Sequence, residues 1–325
     1  MAQDPMAQDP MAQDPMAQDH MAQHPAWPEL PLSAWSASCE TLHRWTQVVG
    51  KIQLALTPLV NHWWNVTLLT TARGLATPPL AFAEGTFTIA FDFIEHRLTI
   101  ASSRGAEQAL RLGPMSVASF YAEVMARLEK FGVKVRIWTM PSEIADAVPF
   151  DRDHANAAYD PVWVGRFWQA LLQSDRVLKE FRARFIGKAS PVHFFWGSFD
   201  LAVTRFSGRR APPPTGTTPN VAAWVMQEAY SHEVSSCGFW PGNGGYGRPA
   251  YYVYAYPEPK GYGGTALSSA GAFYDQGLGQ FILPYDVVRR APDPDALLLG
   301  FLEETYVAAA DLAGWDRAAL ERGAS

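Results

Sequence analysis

Apolar positions along this chain alternate between a helical spacing and a strand spacing. Leu42, Trp45, Val48, Val49, Ile52 and Leu56 recur at helical intervals and predict a first helix, which Pro58 ends. Residues 61–75, NHWWNVTLLTTARGL, are rich in β-branched and aromatic side chains and predict a strand. Residues 85–103 give the clearest hairpin: Phe87, Ile89, Phe91 and Phe93 alternate on one face, and Glu95-His96 sits at the turn. A short strand near Leu110 precedes Ser116, whose hydroxyl suits an N-cap. Val117, Phe120, Val124, Leu128 and Phe131 then form one helical stripe, Gly132 stops it, and VKVRIW predicts a closing strand.

After a Pro- and Asp-rich loop (residues 139–160) the sequence of patterns repeats. Asp160-Pro161 marks the start of a long aromatic helix from Val162 to about Phe185, ended by Gly187. Residues 190–208, SPVHFFWGSFDLAVTRFSG, predict a strand or hairpin. A surface loop (209–220), a short helix (220–230) and an extended HEVSSCGFWPG follow. PAYYVYAYPEP and LGQFILPYDVV predict strands, and Asp293-Pro294 introduces the last helix. The expected class is therefore α+β. PLVNHWWNVTLLTTARG also resembles SPVHFFWGSFDLAVTRFSGR, which points to an internal duplication of a helix–antiparallel sheet–helix unit, with halves at 26–150 and 151–322 packed together. In that alignment His62 and His193 occupy equivalent positions.

The first 25 residues read MAQDP three times, then MAQDH and MAQHP. Such a segment has too little apolar surface to offset the entropy of ordering it, so a disordered tail is expected. It lacks the basic and apolar regions of a secretory signal, any of its Met residues can serve as a start, and Met21 suffices. Of the whole chain, 48% is hydrophobic, enough for a large core, and the 12 Trp imply either dense packing or an aromatic-lined pocket. The net charge of -6, with basic residues scattered, argues against nucleic acid as a partner. No apolar stretch approaches the roughly 20 residues of a membrane span. Cys39 and Cys237 make no disulfide framework and no thiolate zinc motif, which favours a cytoplasmic protein.

Three blocks are distinctive: LHRWTQVVGKIQLALTPLVNHWW, FRARFIGKASPVHFFWGSFDLAVTRFSGRRAP and EAYSHEVSSCGFWPG. Together they resemble a bacterial family of roughly 300-residue proteins of unknown function, over about residues 26–322. The resemblance implies no activity, and the repeat tail departs from the family pattern.

Candidate chemistry rests on a few polar residues in apolar text. His193 shares a strand face with Phe195, and His62 shares one with Trp64 and Val66. An imidazole among aromatic rings stays neutral, which suits a metal ligand or general base and equally an ordinary buried donor and acceptor. His232-Glu233 is not the zinc-protease motif, since no second His follows at the helical offset; if a helix continued through it, Glu228 and His232 would stand one turn apart. Arg205, in the apolar run AVTRF, requires a partner: Asp200, Glu233, or the anionic end of a ligand. The Gly-rich stretches PGNGGYGRP and KGYGGT carry no nucleotide fingerprint, and Ser198 lies in no hydrolase elbow.

These residues combine into one expectation: a small-molecule enzyme with a site between the halves. Its catalytic candidates are His62, His193, His232 and Glu233, and its substrate-binding candidates are Trp64, Phe195, Arg205, Tyr230 and Trp240. Gathered imidazoles from His62, His193 and His232 would favour zinc or iron over magnesium. The competing expectations are a ligand- or haem-binding protein without turnover, and a structural interaction module.

Overall fold

The computed structural model describes residues 27–323. The pentapeptide repeats lie outside the described residues. The first helix, α1 (Ser36–Leu56), carries the expected apolar stripe, but its polar positions His43, Gln47 and Gln53 are buried as well. It is a central helix, covered on most sides, and each buried polar group reaches a backbone carbonyl elsewhere in the chain. Gly50 makes this possible on one side: a Cβ there would stand 2.1 Å from Nε1 of the Trp196 indole, which lies flat on the helix.

Strands β1 (Leu69–Thr71), β2 (Gly74–Ala76), β3 (Leu80–Phe82), β4 (Gly85–Asp92), β5 (Arg97–Ser102) and β6 (Glu107–Arg111) form an antiparallel sheet in the order β1-β2-β4-β5-β6, with β3 on β4. The predicted β4–β5 hairpin pairs Phe91 with Leu98 and Asp92 with Arg97. Helix α2 (Val117–Lys130) follows, with the Ser116 hydroxyl accepting from the Ser119 amide. Trp45 of α1 stacks on Phe120 of α2 at 4.6 Å, tying both helices over this sheet.

The second half begins with α3 (Pro161–Ala183), capped by Asp160. Strands β7 (His193–Phe195), β8 (Asp200–Arg210), β9 (His232–Trp240), β10 (Ala250–Tyr256), β11 (Phe273–Asp275) and β12 (Gln280–Pro284) form a second sheet in the order β11-β12-β10-β9-β8-β7, entirely antiparallel. Helix α4 (Ala223–Ala229) lies between β8 and β9; α5 (Tyr285–Arg289), α6 (Pro294–Leu312) and α7 (Arg317–Leu320) end the chain. Helices α3 and α6 cover the inner face, against Val203, Cys237, Phe239, Tyr251, Val253 and Phe281. Leu68, just before β1, exchanges two backbone hydrogen bonds (2.9 and 2.8 Å) with Phe194 of β7, so the sheets meet edge to edge. One continuous apolar core runs through both halves.

The first part runs helix, six strands, helix; the second interrupts its six strands with α4 and ends in α5, α6 and α7; the class is α+β. One predicted strand is absent, and the one expected over 61–75 forms only in its later part, as β1 and the start of β2. Residues 61–66 form a 3-10 turn instead, with His62 and Trp63 in the left-handed region at φ 58° and 63°. Tertiary anchors override the β propensity there: the Trp63 indole donates to the Val225 carbonyl (2.9 Å) and Asn65 accepts from the Val60 amide (3.2 Å). VKVRIW forms no strand and joins neither sheet, although β6 is an edge strand. No helix among the described residues is long and apolar enough to cross a membrane.

Candidate functional site

Strand alternation divides the second sheet into two unlike faces. Leu201, Val203, Arg205, Cys237 and Phe239 point inward. Their neighbours Asp200, Ala202, Thr204, Phe206, Ser236 and Gly238 point outward, with Tyr252, Tyr254 and Tyr256 in register beside them. The outward set is covered by α4, the 61–66 turn and the loop that carries Glu143.

A carboxylate–phenol cluster occupies this outer face. Asp200 is 6% exposed and accepts from the Ser198 hydroxyl through one oxygen and from the Tyr252 hydroxyl through the other. Tyr252 reaches it by crossing Gly238, where a Cβ would lie 2.6 Å from the phenol oxygen and 2.3 Å from the Leu201 carbonyl oxygen. Beside Tyr252, the Tyr254 and Tyr230 hydroxyls bond to each other at 3.0 Å, and Thr204 bonds to Ser236 at 2.8 Å. The second carboxylate is Glu143. Its backbone is strained, at φ 62°, and its loop is clamped: the Gln47 amide both accepts from the Ser142 N–H (2.7 Å) and donates to the Ser142 carbonyl (2.9 Å), while the Glu143 N–H donates to Pro219 (2.8 Å). The clamp lays the carboxylate against Gly197, the turn residue of the β7–β8 hairpin, where a Cβ would meet Oε1 at 2.2 Å.

Electrostatics sets this pair apart. Burial, and then the charge of Asp200, push Glu143 up to about 7. Burial also raises Asp200, against the hydrogen bonds from Ser198 and Tyr252 that lower it; no Lys or Arg acts on either group. Yet the Glu143 side chain keeps access to solvent.

An imidazole cluster lies further along the same face. Three predicted site residues gather around Trp64: the His62 ring is 5.5 Å away, His193 is 6.5 Å away on another side, and His232 stands 5.6 Å from His62. The His62 Nδ1–H donates to the Ala229 carbonyl (3.0 Å), which leaves Nε2 to accept from the Lys188 ammonium (2.8 Å). Desolvation holds His62 and His232 below their ordinary value and depresses Lys188. His193, 1% exposed, bonds through Nδ1 to Thr67 (3.1 Å); its Nε2 has no partner, and burial pushes the ring down to about 3.

The zinc or iron trio is not assembled: among the described residues no group of three or more His, Cys, Asp or Glu is placed to hold a metal ion. Lys188 occupies the free nitrogen of His62, and His193 meets the Trp64 ring rather than either of the other imidazoles. Helix α4 ends at Ala229, so Glu228 and His232 do not share a helix. Glu233 faces away from His232 and pairs with Arg209 at 2.7 Å. Arg205 lies inside, against Glu303 (3.4 Å), with its guanidinium 3.4 Å from the Phe181 ring centre and 4.3 Å from that of Tyr306. Phe195 packs edge-on against His193 (4.7 Å), and the Trp240 indole donates to Asn243 (3.1 Å). Of the predicted ligand-binding residues, Tyr230 alone joins the carboxylate–phenol hydrogen bonds.

Residue-by-residue reading missed Glu143, Tyr252 and Tyr254, and considered Asp200 beside His193 and as a partner for Arg205. The alternation in AYYVYAY was a usable signal, since its even-numbered tyrosines must share a face. Nothing local marks Glu143, which gains its neighbours through the clamp from α1.

No curated protein and no solved structure matches this chain. A family model does, across residues 27–322, nearly the whole of it. The chain belongs to the family of unknown function DUF5996.

Proposed function

We propose that the outer face of the second sheet is the active face of a small-molecule enzyme, and that Glu143 and Asp200 are its acid–base pair. One observation carries this: Asp200, buried beside the outer-face tyrosines, and the neighbouring Glu143 have no cation on either among the described residues. A fold selected for stability alone pairs or removes such groups, because an unpaired buried charge is costly. Two hydroxyl donors favour the ionised form of Asp200, and Glu143 is the group that stays protonated up to about pH 7. At neutral pH the pair then offers one group able to donate a proton and one able to accept it, which is the requirement for general acid–base catalysis. The tyrosines and Trp240 would wall the ligand. The unpaired cysteines favour a cytoplasmic setting, and the shared helix–sheet–helix order favours descent of the halves from one duplicated unit.

The test is a carboxyl 13C NMR titration. One Glu resonance titrating near pH 7, absent in Glu143→Gln and moved toward the ordinary carboxylate range in Asp200→Asn, is the expected result. Ordinary titration of Glu143 would remove the basis for the acid–base pair. A ligand that binds this face with unchanged affinity in Glu143→Gln and Asp200→Asn would instead support a carrier without turnover, a reading favoured by the tyrosine row of β10.

A further inference from the structure

A second site lies on the first half, independent of the carboxylate pair. An open cavity of about 480 Å³ is lined by Glu95, His96, Arg97, Arg111, Leu112 and Tyr159, among others. That volume suits a small-molecule ligand. Arg97 and Arg111 are direct partners across β5 and β6, so their side chains leave the sheet side by side on one face. Like charges placed directly opposite each other destabilise a strand pair. Little offsets them within the chain. Arg97 approaches Asp92 only to 3.8 Å, and that carboxylate is held more closely by Arg73 at 2.8 Å. Arg111 has no ion-pair partner among the described residues. The acidic group in the lining, Glu95, reaches Arg73 at 3.8 Å.

The cavity adds a third donor. His96 occupies the left-handed region at φ 48°, and Leu112 fixes it there by donating to its carbonyl (2.7 Å). Its Nδ1 bonds to the buried Tyr159 hydroxyl (2.9 Å), and its other ring nitrogen has no protein partner among the described residues. With the phenol as donor to Nδ1, the remaining N–H is free for a ligand.

We propose that this cavity binds a phosphate group, free or carried by a small molecule, between Arg97 and Arg111 with His96 as the third donor. Two guanidinium forks match phosphate oxygens, and the bound anion removes the repulsion between the two arginines.

Calorimetric titration at low ionic strength, with inorganic phosphate in one arm and glycerol phosphate in the other, tests the proposal. Binding in either arm, absent with chloride at matched ionic strength, is expected. The affinity should fall at least tenfold in Arg111→Ala and in Arg97→Ala, fall less in Arg111→Lys, and stay unchanged in Arg210→Ala. A tighter ester than free phosphate identifies a phosphorylated molecule as the ligand; equal affinities assign the site to the phosphate group itself. Arg97 and Arg111 are both exposed, so their replacement leaves the core intact, which an unchanged melting temperature without phosphate confirms. Absence of binding in both arms, or binding that persists in the Arg97→Ala/Arg111→Ala double variant, overturns the proposal.

Discussion

The inner and outer faces of the second sheet both bury charge, and they treat it in opposite ways. Inside, Arg205 is 1% exposed and its charge is paired: Glu303 faces it, the Phe181 carbonyl accepts from it, and the Phe181 and Tyr306 rings lie against it, while its Nε has no partner. Outside, Asp200 has two hydroxyl donors, Glu143 feels the charge of Asp200, and neither has a cation among the described residues. The same strand, β8, supplies Arg205 and Asp200, so the contrast is not one of sheet edge against sheet centre. Arg205 completes a packed interior, whereas the carboxylate pair leaves a requirement that a ligand or a proton must meet.

The largest effect expected from this contrast is at Arg205. Arg205→Met fills similar volume but strands Glu303 and removes the stacked guanidinium. Loss of one partner of a buried pair costs about 3 kcal/mol. Urea denaturation at neutral pH should show that loss with an unchanged slope. A loss below about 0.5 kcal/mol, the range of an ordinary surface change, would mean that Arg205 is held no better than Asp200.

The second effect has a sign as well as a size. Glu143 keeps its proton in the folded protein up to about pH 7, while the unfolded chain releases it near 4.5. Between those values the folded state binds more protons, so this group's contribution to stability falls as pH rises through the window. Glu143→Gln removes the slope and should stabilise the protein at pH 8. The gain expected is about 1 kcal/mol, because the side chain's contact with water screens it. His43 and His193, held neutral down to about 4 and about 3, act in the opposite sense as pH drops below 6.5. The informative quantity is therefore the difference between Glu143→Gln and the parent across pH 5–8, measured by thermal unfolding. A difference that does not change with pH would place Glu143 among ordinary surface carboxylates.

The two faces were not equally legible in the sequence. Helices α1, α2, α3 and α6 were, because apolar spacing and caps such as Ser116, Asp160 and Asp293 act locally. The β4–β5 hairpin was legible for the same reason. Residues 61–66 were not, since indole anchors on distant α4 decide their conformation. The imidazoles His62, His193 and His232 could be grouped as unusual polar residues in aromatic text. Whether they formed a metal site depended on Lys188 and Trp64, which only the folded chain brings beside them. Glu143 was invisible for a stronger reason: its environment comes from Gln47, Gly197 and Pro219, none of them near it in sequence.

The smallest effect sharpens the comparison most directly. Glu233 and His232 are adjacent on β9, and alternation sends them to opposite faces. Glu233 emerges at the rim of the inner face, where Ser207 and Arg209 both donate to it (2.8 Å each) and Arg209 continues to the carbonyls of Ala313 and Gly314 at the end of α6. The arginine is half exposed, so the ion pair is worth little. Glu233→Gln keeps the shape and one acceptor oxygen, and should change stability by less than about 0.5 kcal/mol. It should also leave untouched the pH-dependent difference that Glu143→Gln produces, because no hydrogen bond joins Glu233 to the carboxylate–phenol cluster. If Glu233→Gln did alter that difference, the sheet would transmit charge from one face to the other, and the division between a cation-paired inner face and a cation-free outer face would fail.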